Sequence, residues 1–264
     1  MLDLTILRRT ALIKGLSLNY ISKEDKISNL LSQLSKILGD NFIMKGGTAI
    51  NRVYLLKTGY NRFSEDIDID FILDKDNKKK IKLCNEYIQK IQGFDIDKPR
   101  LMNETLKFDC YYINELDHKD KVQVEFYLKL KKLLFKSQKV LVKSKYIETN
   151  PCIFNIYSFE NLIAMKFITL YTRNEGKDIF DLYYSLKSDF DFKKVKFSIQ
   201  KLKKFYEIKE NIFDSIIKKL KLLKTNYKTI QNSTNHYIPK DLRPDWKMLI
   251  TGLLFEIEKL KDKQ

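Results

Sequence analysis

The sequence predicts an α+β protein, with an α/β half first and an all-helical half second, joined near residues 145–157. Three observations predict it. Residues 66–72 read Asp-Ile-Asp-Ile-Asp-Phe-Ile, a strict period of two that specifies a strand with acids on one face. From about residue 158 onward, apolar positions recur every three or four residues, the spacing of amphipathic helices. A hydrophobic fraction of 44% over 264 residues can fill a sizeable core, while only 8 glycines and 4 prolines exclude collagen-like or long low-complexity chains.

The elements follow in order. Residues 23–38 place Ile27, Leu30, Leu31, Leu34, Ile37 and Leu38 on one helical face, with Ser22 to cap the start and Gly39 to end it. The apolar stub Phe42-Ile43-Met44 leads into Lys45-Gly46-Gly47-Thr48, where a second helix starts and carries Ala49, Ile50, Val53 and Tyr54. Gly59 and Asn61 mark a loop before the 66–72 strand, and a helix near 77–91 packs Ile81, Cys84, Ile88 and Ile91. Two strands over 105–113 and 121–130 are joined as a hairpin by Asn114 to Asp120; in the second, Val122, Val124 and Phe126 alternate with Gln123, Glu125 and Tyr127. After Pro151 come helices over 158–173 and 177–187, a long basic stretch of helical periodicity over 192–230, breaks at Pro239 and Pro244, and a last helix near 245–261. The chain divides at 1–150 and 151–264, and no internal repeat is visible.

Fifty Lys and Arg against 34 Asp and Glu leave a net charge of +16. A field of that sign favours a polyanion: RNA, DNA, an acidic protein or an anionic membrane. The excess of lysine over arginine, with abundant Ile and Asn, is also what AT-rich codon usage produces. Cys84, Cys110 and Cys152 are widely separated and follow no metal spacing, which points to a reducing compartment. His118 and His236 are too few for a zinc site by themselves. The first residues lack the apolar core of a signal peptide, and no run reaches the ~18 apolar residues of a membrane span. These features predict a soluble, cytoplasmic protein with no membrane partner.

The densest chemistry lies in Phe42-Ile43-Met44-Lys45-Gly46-Gly47-Thr48-Ala49-Ile50 and Arg62-Phe63-Ser64-Glu65-Asp66-Ile67-Asp68-Ile69-Asp70. Two glycines at a helix start leave backbone N–H groups uncovered, suited to a phosphate. Asp66 and Asp68, two apart on a strand, project their carboxylates from one face and repel unless a cation lies between them; hard oxygen ligands suit Mg²⁺ or Mn²⁺. Alone, a Gly-Gly pair is ordinarily a turn and an acidic strand face ordinarily a solvated one. In this order and proximity they are the equipment of phosphoryl or nucleotidyl transfer.

Lys45 to Ile50 with Arg62 to Asp68 resembles the first motif of the AbiEii/AbiGii toxin family, within the polymerase-β-like nucleotidyltransferase superfamily. Glu160-Asn161-Leu162-Ile163-Ala164-Met165-Lys166, then Arg173, then Lys177-Asp178-Ile179-Phe180-Asp181-Leu182-Tyr183, resembles its later motifs. Met165 stands where the family often has an acid, and Lys177 where it often has Arg. The resemblance implies a mixed sheet with flanking helices followed by a mainly helical domain. It implies that Asp66 and Asp68 hold divalent ions, with Glu125 as third carboxylate and Asp70 as the alternative. It implies that Lys45, Gly46, Gly47 and Ser64 bind the triphosphate, although Ser64 could simply start the strand. Lys166 and Arg173 would contact phosphate; the plain reading of Lys166 is a snorkelling surface lysine. Asp181 is the expected active-site member on its helix, with Asp178 orienting Lys166, contacting the nucleotide or favouring the helix N-terminus.

The activity so implied is that of a metal-dependent nucleotidyltransferase toxin, with an NTP as co-substrate, an RNA (tRNA) 3′ end as acceptor and a separately encoded antitoxin as partner. Thirteen lysines against five acids over 187–228 would suit such an acceptor, although a charge run is ordinarily a solvated face. The alternatives are transfer to a protein or small-molecule hydroxyl, or a catalytically idle RNA-binding protein of the same fold.

Overall fold

The computed structural model describes residues 3–149 and 151–262. Helices α1 (Leu4–Lys14) and α2 (Leu18–Ile37) lead into strand β1 (Phe42–Lys45); α3 (Gly46–Ala49), a π-helical turn (Ile50–Tyr54) and α4 (Leu55–Thr58) follow. Next come β2 (Asp66–Phe71), α5 (Asn77–Ile88), β3 (Asp95–Ile96), β4 (Arg100–Met102), β5 (Thr105–Ile113), β6 (Lys119–Tyr127), β7 (Ser137–Val142) and β8 (Cys152–Tyr157). The remainder is helical: α6 (Phe159–Thr172), α7 (Gly176–Leu186), α8 (Phe192–Phe205), α9 (Ile212–Thr225), α10 (Tyr227–Thr234) and α11 (Trp246–Asp262), with single 3₁₀ turns at Asn235–Tyr237 and Lys240–Leu242.

The strands form one mixed sheet in the order β3-β5-β6-β2-β1-β8-β7, with β4 on β5. Strand β1 lies antiparallel to β2 and parallel to β8, and β2 is parallel to β6. The period-two pattern of β2 works as expected: Ile67 and Ile69 are fully buried, and the acids face the other way. In β6, Val122, Val124 and Phe126 are likewise fully buried, and the register sets Asp68 beside Glu125 and Asp70 beside Tyr127. The apolar core continues from sheet residues such as Ile43 and Ile156 into Phe167, Leu202 and Trp246 of the helices.

Several elements depart from the expectation. Helix α2 begins at Leu18, not 23, because Ser17 is the extended residue whose hydroxyl accepts the Tyr20 N–H. Ser22 lies buried inside the helix and donates to Glu115. The helix ends on extended Leu38, so Gly39 is not its left-handed cap. Residues 152–157, read as the junction, form β8 and pair with β1 in the heart of the sheet. The basic stretch over 192–230 is three helices. Glu207 adopts a left-handed backbone (φ 57°) after α8, and the Asn211 side chain accepts from the Phe213 and Asp214 amides to start α9. Among the described residues no helix is long and apolar enough to cross a membrane. All three cysteines are free and buried.

Candidate active site

The site is built where β1 runs out. Lys45 ends the strand, and Gly46 turns the chain into α3 with a φ of 70°, a conformation that only glycine adopts without strain. A Cβ on Gly46 would also run into the Asp68 carboxylate, its Cγ 2.8 Å away, so the glycine is what lets the turn and the acid approach each other. A Cβ on Gly47 would meet the Arg62 guanidinium at 2.8 Å and the Ser64 hydroxyl at 3.0 Å. Gly46→Ala is therefore expected to lose both stability and activity: about 1 kcal/mol for the left-handed backbone, plus displacement of Asp68. A variant that melts with wild type and retains turnover would refute this packing.

Asp66 and Asp68 lie two apart on β2, and the cations near them do not offset burial and the neighbouring acids. Burial, then the Asp68 charge, pushes Asp66 up to about 6. Burial, then Glu125, also raises Asp68. Such a pair is relieved by a hard divalent cation, and these oxygen donors fit one. The third ligand is not preassembled: among the described residues no three His, Cys, Asp or Glu groups converge on one point. Glu125 neighbours Asp68 in register but holds Lys107 at 2.7 Å. Asp70 is only 3% exposed, and its carboxylate is taken by Lys45 (2.5 Å) and the Tyr157 hydroxyl (2.7 Å).

Helices α6 and α7 bring in the cations. Lys166 is buried, not snorkelling; it contacts Asp178 at 2.7 Å and Asp181 at 2.8 Å. Arg173 leaves the end of α6, and its Nε reaches Asp178 at 2.7 Å. Asp181 is fully buried and receives a two-pronged contact from Arg62 (2.9 and 2.6 Å), with a third bond from Asn51 at 3.0 Å. Asn51 in turn donates to the Gly47 carbonyl at 2.9 Å and accepts the Arg62 N–H at 2.9 Å. Asp181 therefore positions Arg62 and Asn51 and ties the glycine turn to the helical segment. Asp178 does the same for Lys166 and Arg173. Ser64 accepts from Thr48 at 3.1 Å beside the Gly47 turn.

For Lys166 and Arg62, burial works to lower basicity, but the two aspartates outweigh it and both cations are held charged. Asp178 and Asp181 are correspondingly lowered; burial opposes this, but Lys166 with Arg173 and Arg62 with Lys166 prevail. Their folded values lie below their unfolded ones. The stability they confer is complete above about pH 4, the unfolded carboxylate value, and is lost as pH falls through the depressed values. Melting temperature should fall steeply below about pH 4, and the paired change Asp178→Asn, Asp181→Asn should flatten that fall.

A cavity of about 230 Å³ opens between the halves. Gly46, Gly47, Asp68, Lys166 and Arg173 contribute to its polar lining, and Tyr127, Met165, Ile168, Phe205 and Tyr206 to its apolar and aromatic lining. Asp66 stands outside it. Sequence reasoning missed Asn51 and gave Arg62 no role. Their signal was faint, since a buried arginine and asparagine are recognisable only by partners more than a hundred residues away. It also could not select the aromatic wall from 15 tyrosines and 17 phenylalanines.

A glycine turn against an Asp-x-Asp strand, closed by a cationic helix, is an arrangement suited to phosphoryl or nucleotidyl transfer. The chain belongs to the nucleotidyl transferase AbiEii toxin family of type IV toxin–antitoxin systems, whose family model matches residues 29–263. The fold is similar to MenT4, a nucleotidyltransferase toxin of Mycobacterium tuberculosis, with a TM-score of 0.66 and 17% identity, covering 99% of this chain and 90% of that one. It is also similar to JHP933 of Helicobacter pylori, with a TM-score of 0.59, 18% identity and 94% of each chain covered. No curated protein matches the sequence.

Proposed function

We propose that this nucleotidyltransferase moves a nucleoside monophosphate from an NTP to the 3′-hydroxyl of an RNA, with tRNA the first candidate, and that it depends on Mg²⁺ or Mn²⁺. The observation that carries the reading is the Asp66–Asp68 pair on one strand set against the Gly46–Gly47 turn, with Asp68, Lys166 and Arg173 lining one cavity. Asp66 and Asp68, with Glu125 as the nearest further carboxylate, would hold the cation. When bound, a divalent ion there supplies Lewis-acid neutralisation of the phosphates and makes the attacking hydroxyl more acidic.

The chain's own groups do the rest. Backbone N–H groups at the glycine turn donate to triphosphate oxygens. Lys166 and Arg173 face the same cavity and balance the charge that accumulates on the leaving pyrophosphate. The acceptor oxygen forms a bond to the α-phosphorus, the α–β bridging P–O bond breaks, pyrophosphate leaves and the hydroxyl proton is released. Exposed lysines on α8 and α9, among them Lys193, Lys201, Lys204 and Lys218, offer a polyanion track. The family implies a separate antitoxin that restrains the activity in the cytoplasm.

Labelled NTPs incubated with Mg²⁺ and pools of RNA, protein and small molecules test this. Label should enter RNA and vanish with EDTA. Label confined to protein or small molecules would overturn the RNA acceptor. As a readout independent of turnover, Mg²⁺ or Mn²⁺ should raise the melting temperature of wild type, and should leave Asp66→Asn, Asp68→Asn unmoved.

A further inference from the structure

The two carboxylates of the Asp-x-Asp pair look onto different surroundings. Asp68 faces the cavity, where Lys45, Lys166 and Arg173 are its cationic neighbours. Asp66, at the start of β2, lies outside the cavity, and its cationic neighbour is Lys177. In phosphoryl transfer the attacking and leaving oxygens stand in line on opposite sides of the phosphorus. If the cavity side takes the triphosphate, the acceptor must arrive from the Asp66 side.

That side carries a cluster of rings that the triphosphate site does not use. Tyr20 of α2 stacks on His236 (centroids 5.8 Å apart, planes 21° apart) and lies 5.5 Å from Tyr237. His236 and Tyr237 are 4.0 Å apart on the 3₁₀ turn that follows α10. The cluster is fixed to the approach to β2: the Phe63 N–H donates to the Tyr237 carbonyl at 2.8 Å, and the Tyr20 ring packs on Phe63 with centroids 5.0 Å apart. Lys177 lies 4.8 Å from the Tyr237 ring centre. His236 is exposed and the two tyrosines are half-buried, so ring surface is open to solvent beside a cation. Open rings next to a lysine suit an unpaired base and its phosphate, because every base has a face to stack whereas a paired base hides its own.

Building on the transfer reading above, we propose that Tyr20, His236 and Tyr237, with Lys177, form the acceptor platform: they stack the unpaired terminal nucleotide of an RNA and present its 3′-hydroxyl from the Asp66 side. The probes are a fluorescent RNA hairpin with a short unpaired 3′ tail and the same hairpin made blunt. Binding is read by anisotropy without NTP.

The tailed hairpin should bind more tightly. His236→Ala, which removes an exposed ring, and Tyr20→Ala should each weaken the tailed hairpin about tenfold, the size of one lost stacking contact, and leave the blunt one unchanged. Tyr20→Phe and Tyr237→Phe, which retain their rings, should bind as wild type. Equal binding of the two hairpins by wild type overturns the platform. So does unchanged tail binding by His236→Ala, or an equal loss for both hairpins. Because NTP is absent, RNA labelling with unchanged tail binding rejects only the platform. Ring-dependent tail binding with label confined to protein rejects RNA as the acceptor, and with it the presentation of its 3′-hydroxyl, while the stacking site stands.

Discussion

Replacing Asp181 by alanine is expected to destabilise the protein by about 3–5 kcal/mol, the scale for stripping one partner from a buried ion pair. Arg62 and Lys166 have side chains only 3% and 6% exposed, so neither can turn to water when the carboxylate goes. Lys166 would retain Asp178, but Arg62 would be left with only the Phe63 carbonyl. Asp181→Asn keeps an oxygen for Arg62 and should cost less than alanine while still being destabilising. Denaturant unfolding followed by circular dichroism measures both. An alanine variant within about 1 kcal/mol of wild type, the cost of an ordinary substitution, would show that this network does not hold the halves together.

Asp68→Asn is expected to do the opposite. Turnover should fall by at least about a thousandfold, as expected when the group holding several kcal/mol of charge neutralisation is removed. The fold should be kept or strengthened, because burial and the neighbouring Glu125 already make the Asp68 charge unfavourable. Thermal melting beside NTP turnover separates the outcomes. Loss of activity with unchanged or raised melting temperature supports a functional carboxylate, whereas a large fall in melting temperature would make Asp68 a structural residue like Asp181. That contrast in outcome would distinguish an acid that serves substrate from an acid that positions other groups.

The legibility of the chain followed the range of the interactions. The β2 strand, the hairpin expected over 105–113 and 121–130 and found at 105–113 and 119–127, and helices α6, α7 and α11 were readable because their apolar spacing is local and unbroken. Helix α2 was misplaced at its start because Ser22, Glu24, Lys26 and Ser28 are buried polar residues that break its apolar stripe. Their partners, Glu115, Arg52 and Ser144, lie far along the chain. Strand β8 was missed because it lies in the segment read as the junction, and its pairing with β7 and β1 is what makes it a strand.

The sequence alone determined the glycine turn, the acidic strand beside it and the family they belong to, because a left-handed backbone and a period of two are properties of neighbouring residues. Only the tertiary structure decided how those parts divide the work. It gave Asp70 to Lys45 and Tyr157, paired Asp181 with Arg62 and Lys166, and placed Asp68 in a cavity that Asp66 does not line. The reason is physical. A buried carboxylate is defined by the cation that compensates it, and here those cations come from β1, from the loop before β2 and from α6, which meet only when the chain is folded.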